Sequence, residues 1–116
     1  MSKQTRKDLT SLECIPCRGG VPPLDAQKVK LMLDVVPGWK KVENSIDKIS
    51  KTYKFRDFKE SIEFVSKVAE IAEQEHHHPD IFIHWNEVTI TAWTHAIKGL
   101  FDNDFIVAAK IDELLS

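Results

Sequence analysis

The sequence lacks the features that would send it to a membrane, along a secretory route or onto a nucleic acid. No apolar run approaches the roughly 20 residues that cross a bilayer, so a membrane partner is not expected. The opening "MSKQTRKDLTSLE" has no apolar stretch of the kind found in secretory signals, and the chain reads as cytoplasmic. Basic residues are not in excess: 16 Lys and Arg stand against 18 Asp and Glu, a formal charge of −2. That balance gives no electrostatic footprint for direct nucleic-acid binding. Cysteine is scarce. Cys14 and Cys17 are expected to be reduced in a cytosolic chain, and one C-x-x-C supplies half of a zinc site. No internal repeat is visible.

What is present describes one ordinary folded unit. The chain has 116 residues, 42% hydrophobic and 29% charged, enough for a single core that oligomerisation would help. Residues 1–20 read as an N-terminal arm carrying the C-x-x-C, and residues 21–116 as the domain. In the domain, "PPLDAQKVKLMLDVV" reads as a helix. Asp25 is its N-cap, Val29, Met32, Leu33 and Val36 share one face, and Pro37-Gly38 stops it. "WKKVE" and the segment Ile49 to Phe55 read as two strands around a polar turn, although Lys51 interrupts an apolar face. Asp57 caps the next helix, whose stripe is Phe58, Ile62, Val65, Ala69 and Ala72, widened by Val68 and Ile71. Pro79 disfavours helical geometry at His78, so this helix is expected to end near His76 or His77. Phe82 to Trp85 and Val88 to Trp93 form a second strand pair, with its turn at Asn86-Glu87. "HAIKGLFDND" is a loop or short helical turn. A last helix runs from about Asp104 to Leu115, with Val107, Ile111 and Leu114 on one side.

The order is α-β-β-α-β-β-α. Two hairpins can join into a four-stranded antiparallel sheet with helices packed on one face, an α+β fold. The other face, or a sheet edge, is left open for a partner or ligand.

The conspicuous chemistry is histidine. Four of the five histidines, His76, His77, His78 and His84, fall within nine positions, and His95 follows closely. Three readings account for them. A metal site would need more ligands: consecutive side chains do not share a helix face, and Glu73 with His77 at i, i+4 gives only two. A plain structural reading treats them as a polar helix end, where a positive ring gains from the dipole, with His84 facing solvent. That reading suits His76 best and suits the whole set less well. The third reading is acid–base chemistry. Imidazole moves protons at modest cost near neutrality. A helix end fixed by Pro79 can aim two rings in different directions, and His95 can return to the same place from beyond the later hairpin.

The stretch "HHPDIFIHWNEVTITAWTHAIKGLFDND" resembles the pterin-4a-carbinolamine dehydratases. The signature elements fall on Glu73, His77-His78-Pro79, Trp85, His95 and Asp104. The likeness runs from about Leu24 to the C-terminus and takes in "PGWK" and "YKFRDFKESIEFV". It implies the same four-stranded fold, assembled as a homodimer or homotetramer. The implied reaction is dehydration of 4a-hydroxytetrahydrobiopterin, or a related 4a-hydroxytetrahydropterin, to the quinonoid dihydropterin. That would recycle tetrahydrobiopterin, with an aromatic amino acid hydroxylase as pathway partner and neither metal nor redox cofactor. His77 and His95 are assigned to proton transfer and His78 to holding and polarising the pterin substrate. Asp104 is expected to orient His95 or shape the site. Glu73 either orients an imidazole or is a surface carboxylate, and Trp85 either lines the pterin pocket or belongs to the core. His76 is taken as peripheral, and the cysteines as two reduced thiols in a mobile arm. The alternatives are a non-catalytic binding or coactivator-type protein, a role in molybdenum-cofactor metabolism, and a metal-binding protein that uses the histidines and the C-x-x-C.

Overall fold

A computed structural model describes residues 5–15 and 20–115. It contains α1 (Arg6–Thr10), α2 (Ala26–Val35), β1 (Lys40–Lys41), β2 (Ile49–Lys54), α3 (Phe58–Glu75), β3 (Asp80–His84), β4 (Glu87–Ala92), a 3-10 turn at His95–Ile97 and α4 (Asp102–Glu113). The four strands form one antiparallel sheet in the order β1-β2-β4-β3. The two hairpins therefore join through β2 and β4, and β3 is an edge strand.

The sheet's two faces follow from strand alternation. Ile49, Tyr53, Val88, Ile90 and Ala92 point into the core, while Thr52, Lys54 and Phe82 stay exposed. Lys51 lies on the buried side, where alternation predicts an apolar residue. Its ammonium is 2.8 Å from Asp112 Oδ1. Asp112 also accepts hydrogen bonds from Trp39 Nε1 and the Tyr53 hydroxyl. A cation on an apolar face is tolerated because a nearly buried carboxylate waits for it. Burial first, and then the Asp112 hydrogen bond, push the Tyr53 phenol above its ordinary range.

The helices show where periodicity is ambiguous. Asp57 caps α3 by accepting from Glu60 N at 2.9 Å, as expected. The face turned to the core, however, is Ser61, Phe64, Val68, Ala72 and Glu75. Phe58 and Ile62 are exposed, as is Ala69. This helix carries apolar residues on two adjoining faces, and only one can meet the sheet. α4 begins at Asp102, two residues before the expected start. Asp104 accepts from Phe101 N at 3.0 Å, as the third residue of a helix does when it satisfies the N-cap amide. Residues 103–109, Ile111 and Asp112 are all buried. A helix buried on nearly every side has only a weak amphipathic period, which leaves its first turn unmarked.

Three smaller differences bear on function. β1 is two residues rather than five: Trp39 turns into the core, where its indole donates to Asp112, and Glu43 already belongs to the turn. The β3–β4 turn is Trp85-Asn86, since His84 pairs with Glu87, and Trp85 takes φ +53°. Within the arm, Thr5 and Asp8 cap α1 reciprocally and Leu9 enters the core at 1% exposure. Burying that one side chain is worth roughly 1.5–3 kcal/mol. Cys17 lies outside the described residues.

Candidate active site

The C-terminus of α3 is built to aim His77. His76 takes the left-handed conformation, φ +53° and ψ +38°. Its N–H reaches Glu73 O at 3.4 Å, and the His77 N–H reaches Ala72 O at 3.1 Å. These are the two bonds of a Schellman ending. Glycine is the usual residue at such a position, and histidine is among the side chains that tolerate it. The chain leaves the helix at a fixed angle, and Pro79 feeds it directly into β3.

At this end of the sheet β3 begins and β4 ends. A cleft of about 720 Å³ opens there, a size suited to a small organic ligand. It is bordered by His76, His77, His78, Pro79 and Asp80 on one side, and by Trp93, Thr94, His95 and Ala96 on the other. Glu75, Asn103, Cys14 and Ile15 complete it. The two histidine groups, distant in sequence, thus share one hollow.

Behind His77 stands a buried carboxylate. His77 Nε2 is 2.7 Å from Asp104 Oδ1, and Asp104 has no solvent exposure. The other carboxylate oxygen accepts from the Thr94 hydroxyl at 2.8 Å and from Phe101 N. An ionised carboxylate can only accept, so His77 Nε2 donates, and in the neutral ring Nδ1 is left as the acceptor. Of the two roles expected of Asp104, orienting His95 or shaping the site, the first is not what the structure shows: the carboxylate pairs with His77. The reason is local: at the third position of α4 its side chain turns back toward Phe101 and the α3 terminus.

His78 Nε2 lies 2.9 Å from Glu73 Oε2, and both groups are exposed. Glu73 therefore does meet an imidazole. His95 is held differently. Its ring stacks on Trp93 with centroids 3.8 Å apart and planes at 23°. The Trp93 indole is pinned in turn by Asp80, which accepts from Nε1 at 3.4 Å, and by Lys48 Nζ, 4.6 Å from its ring. Trp85 is not brought to the cleft. It sits in the hairpin turn at the opposite end of β3, 63% exposed, neither pocket lining nor core. The aromatic of this site is Trp93, two residues before His95, on the face that alternation had turned away from the core.

Glu75, Thr94 and Asn103 also border the cleft unforeseen, since isolated polar residues carry no periodic signal, and so do Cys14 and Ile15, which the sequence places in the arm. Burial alone would raise the Glu75 carboxyl, but Lys110, 2.7 Å away, and the Cys14 N–H outweigh it and hold it below its ordinary value. Burial, with help from the Glu75 charge, pushes the Cys14 thiol up to about 12. Burial thus favours the neutral thiol, a far weaker nucleophile than the thiolate. Among the described residues no group of three His, Cys, Asp or Glu side chains is placed to hold a metal ion, and no helix is long and apolar enough to cross a membrane.

Comparison with known proteins adds an independent line. The sequence family described as pterin 4 alpha carbinolamine dehydratase matches residues 22–114. Two curated relatives provisionally named pterin-4-alpha-carbinolamine dehydratase are similar over most of their length. One, from Rubrobacter xylanophilus, is 42% identical over 107 residues, covering 92% of this chain and 98% of the relative. Another, from Rickettsia bellii, is 48% identical over 107 residues, covering 91% and 93%. A crystal structure of a transcriptional coactivator/pterin dehydratase from Brucella melitensis superposes with a TM-score of 0.77 at 30% identity, covering 81% of this chain and 99% of that one.

Proposed function

Because this chain belongs to the pterin 4 alpha carbinolamine dehydratase family, we propose that it dehydrates a 4a-hydroxytetrahydropterin, with 4a-hydroxytetrahydrobiopterin as the leading candidate. The observation that carries this reading is the single cleft bordered by His77 and His95, with Asp104 buried behind His77.

The reaction breaks the C4a–O bond and removes one ring N–H proton, giving the quinonoid dihydropterin and water. Hydroxide leaves poorly, so the departing oxygen needs a proton. His77 is assigned as the base: its Nε2 is committed to Asp104, which leaves Nδ1 to take the ring proton. His95, in protonated form, is assigned to give a proton to the 4a-hydroxyl, with its ring plane fixed by Trp93. Exchange with solvent resets both rings. His78, held by Glu73 and more exposed, is assigned to holding and polarising the pterin, and Pro79 to keeping His77 and His78 in place. In this scheme the residues perform the chemistry without a metal or redox cofactor. A place in tetrahydrobiopterin recycling beside an aromatic amino acid hydroxylase belongs to the same proposal, as does a cytoplasmic homodimer or homotetramer.

The test is to generate the 4a-hydroxytetrahydropterin in situ and follow its decay by absorbance. Faster decay with the protein than in buffer supports the reading; identical decay rejects it. A second reading, a non-catalytic binding or coactivator-type role, draws on the exposed α3 stripe of Phe58 and Ile62 and on the coactivator named in the Brucella structure. In that case the protein would leave the decay unchanged.

A further inference from the structure

The N-terminal arm lies outside residues 22–114, which the family match covers, yet it reaches the cleft. Cys14 and Ile15 both border it. Their backbone is held by side chains on two different helices. The Cys14 N–H donates to Glu75 Oε1 at 2.8 Å. The Ile15 N–H donates to Asn103 Oδ1 at 3.0 Å, and Asn103 Nδ2 donates back to Ile15 O at 2.7 Å. The Cys14 thiol meets Asn103 O at 3.6 Å.

Those anchors are specialised. Asn103 is 3% exposed and Glu75 8%. The Asn103 amide spends its oxygen and its nitrogen on one arm residue, much as a strand pairs with its neighbour. Glu75 divides its oxygens between Cys14 and Lys110. Buried polar groups left without partners are costly, so these side chains favour one docked position for the arm. Leu9, in the core at 1% exposure, fixes the same segment upstream, within α1.

We propose that the docked arm is a working wall of the substrate cleft, with Cys14 and Ile15 contacting the bound pterin and setting how tightly it binds. This rests on the dehydratase reading. The wall carries no charge: a thiol turned to Asn103 O and a branched hydrocarbon shape the cleft, so they act on binding. They are specificity-determining contacts, separate from the histidines that move protons.

Steady-state dehydration kinetics of the full-length protein test this, using Ile15→Ala and Cys14→Ala with a 4a-hydroxytetrahydropterin as substrate. Ile15 is 58% exposed, so its truncation leaves folding intact, which thermal melting checks. The expected result is KM raised three- to tenfold in Ile15→Ala and at least threefold in Cys14→Ala, with kcat within twofold of wild type. A purely structural arm would lower the melting temperature in Cys14→Ala without moving KM in Ile15→Ala. An unmoved KM in Ile15→Ala, with wild type faster than buffer, overturns the proposal. Wild type no faster than buffer rejects the dehydratase reading instead.

Discussion

His77 Nε2 sits 2.7 Å from Asp104 Oδ1, and that carboxylate is wholly buried while the imidazole borders the cleft. One ring nitrogen is therefore committed inward. On the proposed mechanism the other does the work, and the pairing becomes the first thing to break.

Asp104→Asn keeps the size of the side chain and removes the obligate acceptor. The amide can donate to His77 and reverse its tautomer. The expected outcome is a fall in kcat of at least about tenfold with the far-UV circular dichroism unchanged. Asp104→Ala should add a stability loss of about 1–3 kcal/mol, read from urea unfolding, because the Thr94 hydroxyl and Phe101 N–H lose their acceptor.

Trp93 and Trp85 should behave oppositely. Trp93→Ala frees the His95 ring from its stack and is expected to lower kcat about tenfold or more, with Trp93→Phe restoring much of it. Trp85→Ala changes an exposed turn residue and should stay within twofold. Kinetics of the three variants check this; equal losses at the two tryptophans would contradict the placement of the aromatic wall.

His76 ends α3 in a left-handed conformation that suits glycine better. His76→Gly should raise stability by roughly 0.5–1 kcal/mol and leave kcat within threefold. Chemical denaturation of the variant against wild type measures it. A large loss of activity would mean that the His76 ring, and not only its backbone, serves the site.

Cys14 gives a pH dependence with a definite sign. Its thiol is raised from an ordinary value of 9.0 to about 12 in the fold. The unfolded chain therefore loses this proton first as pH rises. The stability from keeping the thiol neutral is complete below pH 9 and is lost between there and pH 12. Urea unfolding at pH 7.5 and 10.5 should show wild type losing about 1–2 kcal/mol more than Cys14→Ser. Parallel losses would show that the thiol is not shielded as described.

Much of this was legible in the sequence, for identifiable reasons. The strand pairs announced themselves by alternation, the start of α3 by Asp57, and its end by Pro79 two residues beyond His77. The convergence of His77 and His95 could be anticipated from two hairpins joined in one sheet. What stayed hidden was set by tertiary contacts. Lys51 looked like a flaw until Asp112, 61 residues away, was seen beside it. Asp104 turned toward His77 because of its place in α4. Trp85 sits in the turn before β4 and Trp93 just past its end, so the length of β4 separates the one at the turn from the one at the cleft. The arm looked inert because its anchors, Glu75 and Asn103, are buried polar residues on other elements.

The central claim is that His77 and His95 together carry the dehydration. The most direct measurement is the rate of decay of 4a-hydroxytetrahydropterin with wild type, His77→Ala and His95→Ala at equal concentration, each shown folded by circular dichroism. Wild type should accelerate the decay, and each variant should lose about 100-fold or more of that acceleration. Variants as fast as wild type would contradict the claim.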